Sequence, residues 1–152
     1  MKRFSKLTVL LTTVLLALVF VGCKQPTSNE GNKVTKLEAP TNLVINSITK
    51  GLVTTKVNCT FIYNGKIGLD GATSAILGYS TTNDYSTAMY ESVGGIATST
   101  ANVDVGENTR TVNYSNFTPV SGTKYYFWIK VTSASNSISD SSWSKVAEFT
   151  YH

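Results

Sequence analysis

In the run Tyr125-Tyr126-Phe127-Trp128-Ile129-Lys130-Val131-Thr132, the residues Tyr125, Phe127, Ile129 and Val131 alternate with Tyr126, Trp128, Lys130 and Thr132. Successive side chains of a strand point to opposite faces. This two-residue period therefore predicts a β-strand with Tyr125, Phe127 and Ile129 turned inward. Upstream, Val53, Thr55, Val57, Cys59, Phe61 and Tyr63 alternate with polar neighbours and predict a long strand, preceded by a shorter one marked by Leu43, Ile45 and Ile48. The stretch from Asn64 to Gly71 carries turn chemistry, and Ala75 to Thr81 reads as the next strand. Met89–Val93, Ala97–Val105 and Thr109–Tyr114 are shorter candidates, divided by Gly94-Gly95 and Gly106-Glu107-Asn108. Downstream, Ser133 to Ser142 is a polar turn, and Val146 to Tyr151 is a final strand. No window carries the 3.6-residue apolar period of a helix. Seven or so short strands within about a hundred residues predict an all-β, two-sheet sandwich, with a small barrel as the competitor.

The residues that flank these strands resemble a known family. Phe117-Thr118-Pro119-Val120-Ser121-Gly122-Thr123-Lys124-Tyr125-Tyr126-Phe127-Trp128-Ile129-Lys130-Val131 is similar to the Leu-x-Pro-Gly-Thr-x-Tyr-x-Phe-x-Val run of fibronectin type III domains, which are immunoglobulin-like sandwiches. Ala39-Pro40-Thr41-Asn42-Leu43 resembles that family's Pro-x-x-Leu opening, and Ser139 to Ser142 resembles the connection into its last strand. The resemblance covers residues 39–152 and implies that Tyr125 is a tyrosine corner, its hydroxyl tied to upstream backbone. It departs at Cys59, where the family carries a buried Trp, at Phe117, which replaces Leu, and in a longer passage from Thr82 to Gly106. Phe61 is then the residue expected to fill the core centre.

The N-terminus reads as an address. Lys2, Arg3 and Lys6 precede an apolar run from Leu7 to Val21, the pattern of a secretory signal. That run is shorter than the roughly 20 residues a membrane-spanning helix needs. Phe20-Val21-Gly22-Cys23 resembles the bacterial lipobox, with Phe where Leu is usual. The resemblance implies a lipoprotein signal peptide over 1–22 and a diacylglycerylated, N-acylated Cys23. An ordinary secretory signal with an incidental cysteine is the alternative. Residues 23–38, rich in Pro, Ser, Asn, Gly and Lys, read as a flexible tether of about 20–25 Å average span. The expected location is the bacterial cell envelope, anchored to the membrane through lipid on Cys23. Lys24 and Gln25, in place of the Asp that signals inner-membrane retention in enterobacterial lipoproteins, favour the outer membrane.

Charge and chemistry narrow the function. The 13 cations and nine acids give a net charge of +4, but Lys2, Arg3 and Lys6 would leave with the signal, reducing it to +1. The remaining cations are scattered, which argues against nucleic acid as a partner. With Cys23 committed to lipid, Cys59 has no disulfide partner and reads as a small buried hydrophobe. His152, the single histidine, stands at the end of the chain. Neither a catalytic triad nor a histidine metal site is expected, and no cofactor is implied. Asp104-Val105-Gly106-Glu107-Asn108 offers oxygens suited to calcium but lacks a loop pattern for it, and reads as a solvated turn. Three Asn-x-Ser/Thr sequons, at Asn58, Asn113 and Asn116, read as ordinary strand and turn residues in a bacterial chain.

Outward aromatics carry the one functional hint. If Phe127 points inward, Tyr126 and Trp128 share the outer face about 6.5–7 Å apart, with Trp143 and Tyr79 expected to extend the patch. Such a platform suits a glycan or a protein partner. The expected function is therefore a non-enzymatic binding or display module. The alternatives are a structural spacer without a ligand, in which Tyr126 and Trp128 would be covered, and a small glycan-acting hydrolase using two loop carboxylates. Mass spectrometry of protein purified from its host's membranes is expected to give residues 23–152 plus acyl chains, with the added mass lost in Cys23→Ala. An unmodified mass would make Cys23 incidental and the chain a soluble secreted module.

Overall fold

Strand-forming alternation and turn chemistry produce seven strands in the computed structural model, which describes residues 35–68, 71–93 and 103–152. The stretch expected to be a signal peptide, Cys23, most of the expected tether, Leu69-Asp70 and the piece from Gly94 to residue 102 lie outside the described residues. The strands are β1 (Thr41–Lys50), β2 (Thr55–Tyr63), β3 (Ala72–Ser80), β4 (Met89–Val93), β5 (Gly106–Tyr114), β6 (Lys124–Ser133) and β7 (Ala147–Thr150), with one 3-10 turn at Tyr85–Thr87. They form two sheets, β1-β2-β5 and β4-β3-β6-β7, whose neighbours are all antiparallel. Among the described residues no ladder joins the two sheets, the arrangement of a sandwich and not of a closed barrel.

The core lies between the sheets and is filled by the inward half of each alternation. Val57, Cys59, Phe61 and Tyr63 of β2 and Val112 and Tyr114 of β5 face Ala75, Leu77 and Tyr79 of β3 and Tyr125, Phe127, Ile129 and Val131 of β6. Each large side chain among them contributes roughly 1.5–3 kcal/mol by leaving water. All of this buried cluster comes from residues between Leu37 and Ala147, and residues 34–152 form one compact unit. That unit therefore carries its own core. Cys59 and Phe61 are both buried in the core, Phe61 among its largest side chains.

The turn before β6 is fixed at both ends. Gly122 adopts φ +81°, a left-handed conformation that favours glycine. Its N–H donates to the Tyr151 carbonyl at 2.7 Å, and the Tyr151 N–H returns to Thr123 at 3.0 Å. The Tyr125 hydroxyl accepts the Val120 N–H at 3.0 Å, tying the strand to backbone five residues upstream.

Several boundaries differ from expectation: β3 begins at Ala72 and not at Ala75, and β5 at Gly106 and not at Thr109, which takes the expected divider Gly106-Glu107-Asn108 into the strand. The second strand begins at Thr55 and not at Val53, because Gly51 donates to the Thr54 carbonyl at 3.0 Å and reverses the chain there. Leu52 and Val53 are left in solvent. The sandwich also starts before residue 39. Leu37 is buried in the core, its N–H donates to Ser139 at 3.0 Å, and the Ser139 N–H donates to Thr35 at 3.0 Å. Backbone pairing to the β6–β7 connection thus takes in residues that composition assigned to the tether.

Burial also governs protonation. Desolvation pushes the Cys59 thiol up to about 12, partly opposed by the Arg110 charge. Burial likewise holds the Tyr114 phenol well above its ordinary value. Both groups keep a proton in the folded state that the unfolded chain releases sooner, so stability is fully present below the unfolded pKa and falls as pH rises. The stability measured by urea unfolding is expected to fall from pH 9.0 towards 12 by roughly 1.4 kcal/mol per pH unit while Cys59 alone is responsible. In Cys59→Val the decline should begin only where tyrosine titrates, and an unchanged profile would show that Cys59 is not buried as described.

Candidate functional site

On its outer face β6 carries Lys124, Tyr126, Trp128 and Lys130. The pairings Tyr126 with Ser80 and Trp128 with Gly78 place both aromatics on the side away from the core. Their rings stack with centroids 6.5 Å apart and planes 24° from parallel, close to the strand spacing anticipated from sequence. Tyr126 is half-buried, but Trp128 is only 4% exposed. Gly78 explains the difference. A Cβ there would lie 3.2 Å from the Ala88 Cβ and 3.5 Å from the Trp143 Cη2, so both neighbours close onto the strand beside the Trp128 ring. The expectation of an open Tyr126–Trp128 platform is corrected to a stack whose Trp128 end is covered.

Trp143 is half-buried and reaches this face from the β6–β7 connection. Two serines hold the connection in place. The Ser144 hydroxyl accepts the Ile129 N–H at 3.1 Å and the Ser141 hydroxyl accepts the Val131 N–H at 2.9 Å. The backbone N–H groups of the same two serines donate back to the Ile129 and Val131 carbonyls at 2.8 and 3.0 Å. Side-chain oxygens thus continue the ladder beyond the end of β7 and set Trp143 against the outer face. Lys130 Nζ lies 5.4 Å from the Trp143 ring centroid and 3.2 Å from the Asp140 carboxylate.

Tyr79 takes the opposite course. Its partner in the ladder is Phe127, which points inward, so Tyr79 belongs to the core and is 9% exposed. Its assignment to the outer patch is corrected. The parity of β3 relative to β6 is set by their pairing, which local sequence does not contain.

The remaining outer aromatics line a cleft of about 260 Å³ formed by Tyr85, Trp128, Ser142, Trp143 and Ser144. Tyr85, which the sequence reading missed, is 58% exposed and stands on the 3-10 turn between β3 and β4. Asp84 builds that turn: its carboxylate accepts the Ser86 N–H at 2.9 Å and the Ser86 hydroxyl at 2.7 Å, and these bonds hold its pKa below the ordinary value. The local pattern Asp84-Tyr85-Ser86 was a legible cap signal. What it could not reveal was that the turn folds over Gly78.

The expected solvated turn from Asp104 to Asn108 is corrected: Gly106-Glu107-Asn108 opens β5, and a buried amide organises the approach to that strand. Asn108 is buried; its side-chain oxygen accepts the Asp104 N–H at 2.9 Å, and its NH2 donates to the Asp104 and Gly106 carbonyls at 2.9 and 3.0 Å. Arg110 pairs with Asp104 at 2.9 Å. Among the described residues, no group of three or more His, Cys, Asp or Glu side chains could hold a metal ion.

No family model matches the chain, and no curated protein matches it.

The serine-held connection makes a direct prediction. Ser144→Ala leaves the buried Ile129 N–H without its acceptor and is expected to cost about 1–3 kcal/mol in denaturant unfolding. It should also release Trp143, seen as a red shift and broadening of its fluorescence. Wild-type stability and emission in the variant would show that the hydroxyl does not position the loop.

Proposed function

We propose that the protein is a lipid-anchored bacterial envelope protein displaying one fibronectin type III-like domain that binds a glycan in the Tyr85–Trp143 cleft. The family reading is supported by the three-plus-four division of strands, with β1, β2 and β5 in one sheet and β4, β3, β6 and β7 in the other. It is further supported by the Tyr125 hydroxyl bond to Val120. The anchoring reading rests on Phe20-Val21-Gly22-Cys23 behind its charged and apolar segments.

The observation that carries the binding reading is the cleft itself. Aromatic walls from Tyr85, Trp128 and Trp143 stand beside the Ser142 and Ser144 hydroxyls in about 260 Å³. Sugar rings offer an apolar face for stacking and hydroxyls for hydrogen bonding. A protein partner would need roughly 800 Å² from this side, far more than such a cleft supplies. The reading is non-catalytic. In its favour, Asp84 is bonded to Ser86, Asp104 to Arg110, Asp140 to Lys130 and Glu148 to Lys124, so these carboxylates already serve local structure.

One observation favours the spacer reading instead: Trp128, the larger half of the anticipated platform, is covered within the chain. A titration of soluble oligosaccharides against the isotope-labelled domain separates the two. Binding should shift the indole N–H signals of Trp128 and Trp143, and Tyr85→Ala, at an exposed position, should weaken it about tenfold. If no oligosaccharide moves either indole signal, the glycan reading fails and the spacer reading takes its place.

A further inference from the structure

The β1–β2 hairpin turns through Gly51-Leu52-Val53-Thr54, and Leu52 and Val53 at its tip are 107% and 83% exposed. Turn tips normally carry Gly, which tolerates positive φ, or Asn, Asp or Ser, whose side chains hydrogen-bond nearby backbone. Two adjacent large apolar side chains with no neighbour to cover them contribute nothing to this fold. The charge pattern around them is one-sided. No Asp or Glu occurs between Glu38 and Asp70, whereas Lys50 and Lys56 flank the tip and are exposed. The tip is also held firmly at its base, where the Thr55 hydroxyl donates to the Phe117 carbonyl. That bond joins the hairpin to the β5–β6 loop, which presents exposed Val120 at the same end of the sandwich.

We infer that this tip is a membrane-docking element: Leu52 and Val53 enter the interfacial layer of an anionic bilayer while Lys50 and Lys56 meet its phosphate groups. The charge argument selects lipid over an apolar protein surface. A bilayer interface presents negative headgroups directly above hydrocarbon, and an apolar tip ringed by lysines matches that layering. The tip lies beyond the far end of β1, about 30 Å along that strand from Thr41, so it is a second contact distinct from any N-terminal anchor. It also shares no residue with the aromatic cleft.

Flotation of residues 35–152, which carry the core whole, with phosphatidylglycerol–phosphatidylcholine vesicles tests the inference. The wild-type domain should float with anionic vesicles, less so with phosphatidylcholine alone, and less as salt is raised. Leu52→Asp with Val53→Asp should lower partitioning about a hundredfold, and Lys50→Gln with Lys56→Gln about fivefold per lysine on anionic vesicles only. All four positions are exposed, and unchanged urea midpoints would verify that the variants fold. Tyr85→Ala should leave flotation unaltered, which separates this outcome from that of the glycan reading. Absence of wild-type binding to anionic vesicles would overturn the inference, as would undiminished binding by the double aspartate variant.

Discussion

Tyr79 is where the two sheets are locked together. Its ring, from the middle of the four-stranded sheet, meets Tyr114 of the opposite sheet edge-on at 5.1 Å and lies 4.0 Å from Phe117 in the loop that crosses between sheets. Tyr125 and Phe127 complete the cluster at 6.4 Å each. Edge-to-face pairs of this kind add about 0.5–1.5 kcal/mol beyond the area they bury. The Tyr114 hydroxyl then crosses the core to donate to the Leu77 carbonyl at 2.6 Å, so the aromatic contact is reinforced by a buried hydrogen bond. With this end closed, the parity of β3, β5 and β6 is no longer free: turning Tyr79 outward would empty the cluster and expose the wrong half of each strand.

That parity determines what reaches the outer face. Because Phe127 and Tyr79 face inward, Trp128 and Gly78 must face outward together. The glycine leaves room for Trp143 and Ala88, and the 3-10 turn at Tyr85 packs above β3. The cleft is thus a by-product of one missing side chain, two serine hydroxyls that extend the β6 ladder, and a capped turn. Its aromatic content comes from three separate segments, and none of these makes a binding surface alone.

Polar groups are handled with the same economy. Every buried side-chain nitrogen or oxygen among the described residues has a hydrogen-bond partner. Asn108, Thr55, Ser141 and Ser144 each satisfy backbone groups that no ladder reaches, and an unpaired buried group would cost more than the bond itself returns. The β1–β2 tip stands apart from this pattern. Its apolar exposure relieves no strain and fills no space, which is why an external surface is the natural place to look for its role.

The alternation of Tyr125 to Thr132 and of Thr55 to Tyr63 determined strand type, inward face and the all-β class from local sequence alone, because side-chain direction along a strand follows from covalent geometry. Met89–Val93 was legible to the residue, and so was the burial of Cys59 and Phe61. The inclusion of Leu37 in the core and the inward orientation of Tyr79 were not legible, since each depends on a distant partner: Ser139 pairing with the entering chain, Tyr114 and Phe117 filling the space between sheets. The candidate cleft was only half visible for the same reason. Period two says that Trp128 points out; only the tertiary structure decides that Trp143, seated by Ser141 and Ser144, lies over Gly78 beside it, with Tyr85 at the rim.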